Sequence, residues 1–131
     1  IWGQESHAKR NNEGAMEDLH HFDRMLWIDW MKEVSKFKYG VHLMPTVAAG
    51  TFSLNCAYFG IPVIGNIKVD TQKTLHPLTS VEVDDVNGAR ELAQKLRDDK
   101  EFYNQCSKLA RQQYESYYTK NIWLNYMKDK I

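Results

Sequence analysis

Between Met44 and Gly65 the sequence MPTVAAGTFSLNCAYFGIPVIG places small residues, hydroxyls and a glycine where an apolar strand end meets a helix. Ala48-Ala49-Gly50-Thr51 leaves backbone that no bulky side chain shields. A helix opening near Thr51 to Ser53 aims N–H groups without intrahelical partners, and the positive end of its dipole, at any anion resting there. The chemistry this permits is the binding of a phosphate or a similar anion. The same residues also serve ordinary strand-to-helix packing, and Thr51 and Ser53 could equally cap the helix. Other chemical groups are less organised. His20-His21 with Asp23 lacks a spacing that points two ligands at one metal from a helix face, and His42, inside a strand, reads as a satisfied core or cleft histidine. Asp70 and Glu82 read as solvated carboxylates, because acid–base work needs geometry that spacing does not supply. No metal site and no cofactor are expected.

The elements that must hold this loop alternate between strand and helix. Ile1 to Gly3 could end a strand, Gln4 to Glu13 reads as loop, and residues 15–22 as helix. Met25 to Ile28 is a short apolar run, Asp29 is a candidate N-cap, and Trp30, Val34 and Phe37 recur at helical spacing before Tyr39-Gly40. Val41 to Met44 reads as strand. Leu54, Ala57 and Tyr58 make one face of a helix that Gly60 ends, and Pro62-Val63-Ile64 reads as strand with its proline at the first residue. Asp70-Thr71-Gln72 and Leu75-His76-Pro77 read as loop or a single helical turn, and Val81-Glu82-Val83 as the last strand. Asp84, Asp85 or Asn87 can cap a helix with Ala89, Leu92, Ala93 and Leu96 at i, i+3, i+4 and i+7. A second helix shows Phe102, Cys106, Leu109, Ala110, Tyr114 and Tyr117 on one face. A third, capped at Thr119, carries Ile122, Trp123, Tyr126 and Met127. Short connections and apolar strands predict an α/β fold, a three-layer Rossmann-like domain with a parallel sheet of about four or five strands, helices on both faces and a helical carboxyl-terminal tail.

Composition narrows the partners. The 131 residues read as one domain, long enough to bury roughly two-thirds of its unfolded surface. Seventeen basic residues balance seventeen acidic ones, which argues against nucleic acid held by general electrostatics. Cys56 and Cys106 have no paired spacing and read as buried thiols in a reducing, cytoplasmic compartment. No apolar run reaches the length of a membrane span.

In the order strand, PTVAAGTFSLNCAYFG, IPVIGN, loop, SVEVDD and the helices from NGARELAQKLRDD to the end, nearly the whole chain resembles the carboxyl-terminal, donor-binding domain of GT-B glycosyltransferases of the glycosyl transferases group 1 family. That family carries a Pro-Ser/Thr and small-residue loop, a Leu-Glu-Ala-Met-Ala-x-Gly-x-Pro-Val-Ile run, and a helix with leucine-alanine, basic-leucine and Asp-Asp pairs. Leu54 to Ile64 and Leu92 to Asp99 match these without gaps. The resemblance implies one half of a GT-B fold, with a nucleotide sugar, linked to UDP, GDP or ADP, at the carboxyl ends of the strands. Gly50, Thr51, Phe52 and Ser53 would face the donor pyrophosphate. Thr46, Ala49 and His76 would lie at the periphery.

The acidic pair of the family is absent. Its second glutamate falls on Asn55, whose amide can still accept a bond from a ribose hydroxyl without charge assistance. Its first falls on Val47, or on Ala49 if the loop is shorter, so the catalytic residue stays unassigned. The family's preceding domain is also missing from this sequence, with Lys9 and Arg10 reading as a solvated loop. The implied activity is hexosyl transfer in carbohydrate biosynthesis, completed by an amino-terminal acceptor domain as partner and not expected of this chain alone. The location implied is cytoplasmic, or peripheral at the membrane in a longer protein. The alternatives are a non-catalytic nucleotide- or sugar-binding module, and a sugar-nucleotide epimerase of GT-B architecture. On this reading Gly50→Glu abolishes nucleoside diphosphate binding without unfolding the domain.

Overall fold

The computed structural model describes residue 20, residues 22–47 and residues 50–130. By its contacts the chain divides into two compact units, Ile1–Glu33 and Val34–Ile131. The helix α1, Trp27–Val34, begins in the first unit and ends at Val34, the first residue of the second. The Trp30 N–H donates to Leu26 O at 2.9 Å. Asp29 therefore sits inside the first turn, where its charge favours the helix dipole, and not at the N-cap. The strand expected at residues 1–3 lies outside the described residues. So does the helix expected over 15–22, except His20 and Phe22, which are not helical.

The second unit is mixed α/β. Its elements are β1 (Gly40–His42), α2 (Thr51–Tyr58), β2 (Val63–Asn66), α3 (Asp70–Leu75), a 3-10 turn (Pro77–Thr79), β3 (Ser80–Val81), α4 (Val86–Asp98), α5 (Lys100–Tyr117) and α6 (Lys120–Lys130). The sheet is parallel, in the order β1-β2-β3. Gly40 pairs with Val63 and His42 with Gly65, then Gly65 with Ser80 and Asn66 with Val81. The described residues thus hold three strands against the about four or five expected from strand spacing. β3 is shorter than the expected Val81–Val83 strand because the chain turns at once, with Asp85 N donating to Glu82 O at 3.0 Å. Pro62 precedes β2 and serves it as an acceptor, taking the Gly40 N–H at 2.9 Å.

Alternation along β2 sends its side chains to two faces. Ile64 packs with Leu96 of α4 and Cys106 of α5, bordered by Tyr39, Val81, Leu92 and Phe102. On the other face Gly65 lies under Gln72 of α3, and Phe52 of α2 lies over Gly40. A second cluster joins Ala57 of α2, Leu75 of α3 and Ala110 of α5, with Leu54, Tyr114 and Tyr118 around it. α5 belongs to both clusters. Its polar side chains also close the ends of its neighbours: Ser107 Oγ donates to Gly60 O at 2.5 Å, Arg111 donates to Tyr58 O, and Gln113 Nε2 donates to Thr74 O at 3.0 Å. These bonds satisfy carbonyls at the carboxyl ends of α2 and α3, and the Arg111 charge suits the negative end of α2.

Helix boundaries follow local chemistry. α2 ends in a Schellman arrangement, with Gly60 at φ +70, its N–H on Ala57 O at 3.0 Å and Ile61 N on Cys56 O at 2.8 Å. Of the three candidate caps for α4, Asp85 is used, accepting from Gly88 N at 2.9 Å. Asp99 then caps α5 by accepting from Phe102 N at 3.0 Å, and Asp98 pairs with Arg97. The Asp-Asp pair is thus a helix junction. The two cysteines are free and buried, and burial pushes their thiols up to about 12 for Cys56 and about 11 for Cys106, far from a reactive thiolate.

Because β3 has two residues, it leaves the Val63 peptide of β2 without a strand partner on that side. Side chains take its place. Val63 O accepts from Gln72 Nε2 at 2.8 Å and from Thr79 Oγ1, and Val63 N–H donates to His76 Nδ1 at 3.3 Å. Gln72 Nε2 also donates to Ser80 Oγ at 3.1 Å, and Gln72 Oε1 accepts from Ser53 Oγ at 2.8 Å. Ser80 Oγ in turn donates to His76 O at 2.8 Å. Ser53, Gln72, His76 and Thr79 are all at most 4% exposed. A Cβ on residue 65 would stand 2.5 Å from Gln72 Oε1, so only glycine leaves room for this amide against the strand.

Gln72→Leu keeps the volume of the side chain but strips bonds from Val63 O, Ser80 and Ser53, so it is expected to cost about 2 to 3 kcal/mol. Lys73→Leu, at an exposed position of the same helix, is expected to stay within about 0.5 kcal/mol. Urea midpoints of the two variants check the difference.

Candidate functional site

The anion-binding loop predicted from sequence stands where β1 leads into α2, at the carboxyl ends of the parallel strands. Gly50 is the N-cap of α2, at φ +73 and ψ +37, and makes no side-chain cap bond because it has no side chain. The first intrahelical bond runs from Leu54 N to Gly50 O at 3.2 Å. The N–H groups of Thr51, Phe52 and Ser53 precede it, so the helix itself supplies them no acceptor. Thr51 is exposed and Phe52 half-buried, its ring centroid 5.7 Å from that of His42 at the end of β1. Partial burial holds the His42 imidazole below its usual pKa. Asn55 is half-buried one turn into α2, and Thr46 and Val47 are exposed on the incoming loop. Ala48 and Ala49 lie outside the described residues.

Two of the expected site residues face inward instead. Ser53 is 0% exposed and its hydroxyl is bonded to Gln72 Oε1, so it neither caps α2 nor offers a donor to a ligand. His76 is 4% exposed, with Nε2 donating to Ser53 O at 2.9 Å while Nδ1 accepts from Val63 N. Both ring nitrogens are spent between β2 and α2. This fixes the neutral tautomer protonated on Nε2, and burial lowers the pKa from 6.5 to about 4. His76 is thus a strut of the core, displaced from the expected site periphery because the loop that carries it folds into α3 and the 3-10 turn.

The structure adds residues that sequence spacing passed over. Thr71 Oγ1 donates to Gly50 O at 3.1 Å, latching the loop to α3. Asn66, 2% exposed at the end of β2, donates through Nδ2 to Met44 O at 3.0 Å and accepts from Lys68 N through Oδ1 at 3.0 Å. The loop from Ile67 to Val69 therefore abuts Gly50, where a Cβ would meet Val69 Cγ1 at 2.9 Å and Thr71 Oγ1 at 1.7 Å. Lys68, exposed in that loop, is a basic residue directly after β2. Its position directly after a strand was the available signal. Asp70 and Glu82 are exposed, as expected of solvated carboxylates. Among the described residues no group of three His, Cys, Asp or Glu could hold a metal ion. Nor is any described helix long and apolar enough to cross a membrane.

The site's geometry corrects one expectation. Gly50 is buried, left-handed and backed by Thr71 and Val69. Gly50→Glu therefore strains the backbone and displaces the latch, so it destabilises the unit as well as altering the loop.

The proton balance at His76 gives a pH test. A second proton would set Nδ1–H against the Val63 N–H, donor against donor. The unfolded imidazole takes that proton near 6.5 and the folded one only near about 4. Stability is thus full above about pH 6.5 and falls as the pH drops toward about 4, by about 1.4 kcal/mol per pH unit and up to about 3 kcal/mol in all. Urea midpoints between pH 7 and pH 4 are expected to fall more steeply for the native chain than for His76→Gln, which carries no titrating group there.

No family model, curated protein or solved structure matches the chain.

Proposed function

We propose that the Val34–Ile131 unit binds the donor of a nucleotide-sugar glycosyltransferase, as a Rossmann-like half of a GT-B fold whose sheet of about four or five strands is completed beyond the described ones. The observation that carries the reading is the side-chain-free, left-handed Gly50 at the opening of α2, flanked by exposed Thr51 at the carboxyl ends of β1 and β2. A pyrophosphate resting on this turn would meet the N–H groups of Gly50 to Ser53, the Thr51 hydroxyl and the positive end of the helix. Those donors favour the charge that grows as a nucleoside diphosphate leaves. Lys68 supplies the nearby cation. Asn55, half-buried one turn along, would accept from a ribose hydroxyl on this reading. An amino-terminal acceptor domain would close the cleft and exclude water, in a cytoplasmic enzyme.

A second reading has its own observation. Ser53, Gln72, Asn66 and His76 spend their polar groups on the fold, and Asn55 replaces a carboxylate of the resembled family. Both favour a nucleotide-binding module without catalysis.

Calorimetric titration of the chain with UDP, GDP, ADP and their sugar conjugates tests the proposal. One nucleotide is expected to bind selectively. Thr51→Glu should abolish that binding while leaving the melting temperature unchanged or higher, since a carboxylate in the first turn suits the helix but repels phosphate. Lys68→Gln should weaken binding about tenfold and flatten its salt dependence. A folded chain that takes no nucleotide at millimolar concentration would overturn the reading, and retained binding without transfer once the acceptor domain is supplied would favour the non-catalytic module.

A further inference from the structure

α6 is the helix that the core does not explain. It buries no residue, and no other described element packs along its length. Trp123 and Tyr126 are both 60% exposed, and Ile122 and Leu124 are 41% and 36% exposed. An isolated helix of 11 residues is marginal in water, so this one needs a covering surface.

The charges say which kind. Ile122, Trp123, Tyr126 and Met127 share one side of the helix by its period of about 3.6 residues, and Lys130 lies on the same side, its ammonium 5.3 Å from the centre of the Tyr126 ring. Lys120 begins the helix one turn before Trp123 and Leu124. Lysine is depleted from the cores of protein–protein interfaces, where its ammonium would be stranded. At a bilayer surface the same mixture is at home, with tryptophan and tyrosine rings at headgroup depth and lysine stems reaching lipid phosphates. The chain as a whole is neutral, yet from Lys108 to Lys130 five basic residues stand against two acidic ones, so positive charge gathers at this end.

We propose that α6 is an interfacial anchor that lies on an anionic bilayer, with Ile122, Trp123 and Tyr126 entering the headgroup layer and Lys120 and Lys130 meeting lipid phosphates. This rests on α6 alone and does not depend on the nucleotide reading.

Co-sedimentation of the full chain with vesicles of phosphatidylcholine, alone or mixed with phosphatidylserine at three to one, tests it. Binding is expected to be at least about tenfold tighter to the anionic vesicles and to weaken as salt is raised. The double variant Trp123→Ser/Tyr126→Ser should abolish it, and Lys120→Gln/Lys130→Gln should reduce it about tenfold, each with the native far-ultraviolet circular dichroism. Equal binding to both vesicle types, or none to either, would overturn the proposal. So would sedimentation equilibrium showing a dimer that the double serine variant dissociates, because the face would then belong to a second copy of the chain.

Discussion

The second unit depends on how a buried strand satisfies its own peptide groups. β2 is fully buried, and a buried carbonyl or amide without a partner costs as much as a lost hydrogen bond. β1 serves one edge of β2 and two-residue β3 only part of the other. The Val63 peptide falls in the remaining gap, and Thr79, Gln72 and His76 close it. Two of them tie in something further: Gln72 holds Ser53 of α2, and His76 holds the Ser53 carbonyl. Polar side chains thus dock α2, α3 and the 3-10 turn onto the sheet, apolar burial fixes α4 against Ile64, and α5 packs on α2, α3 and α4 together. A network of this kind specifies one arrangement because any slip leaves donors and acceptors stranded together.

This division explains where the sequence could be read. α4 was legible because Ala89, Leu92, Ala93 and Leu96 repeat at helical spacing and do bury one face. The end of α2 was legible because Gly60 is a residue that left-handed backbone selects. α3 reads only as loop or a single helical turn, since its buried side consists of Gln72 and Leu75, and a buried glutamine looks identical in sequence to a solvated one. The same holds for Ser53 and His76, because nothing local in the sequence says that a hydroxyl or an imidazole turns inward. β3 was displaced by a residue because strand length is set by its neighbour and by the turn at Glu82. The Gly50 turn was legible in type, through its small residues. Its burial was not, because the crowding comes from Val69 and Thr71, about twenty residues on.

The resemblance to a sugar-transferring family drew on runs whose structural duties are now visible. The Asp-Asp pair joins α4 to α5, and the Leu54 to Ile64 run builds a helix, its Schellman end and the entry to β2. Such residues answer to fold requirements that many α/β chains share, so they carry architecture more firmly than activity. The loop edge of the sheet is a different matter. There Thr71 bonds to the Gly50 carbonyl, Val69 packs against Gly50, and Asn66 ties the Met44 carbonyl to the end of β2.

The role of α5 bears on how the chain is made. Ser107, Arg111 and Gln113 bond to carbonyls 47, 53 and 39 residues earlier, and Ala110 completes the cluster between α2 and α3. During synthesis from the amino terminus the βαβ portion emerges first, with its helix ends open and half of its core missing. It has to wait, exposed, until α5 clears the ribosome. A ribosome stalled before Ser107 would present the βαβ portion with these carbonyls open and the Ala57–Leu75 pair uncovered.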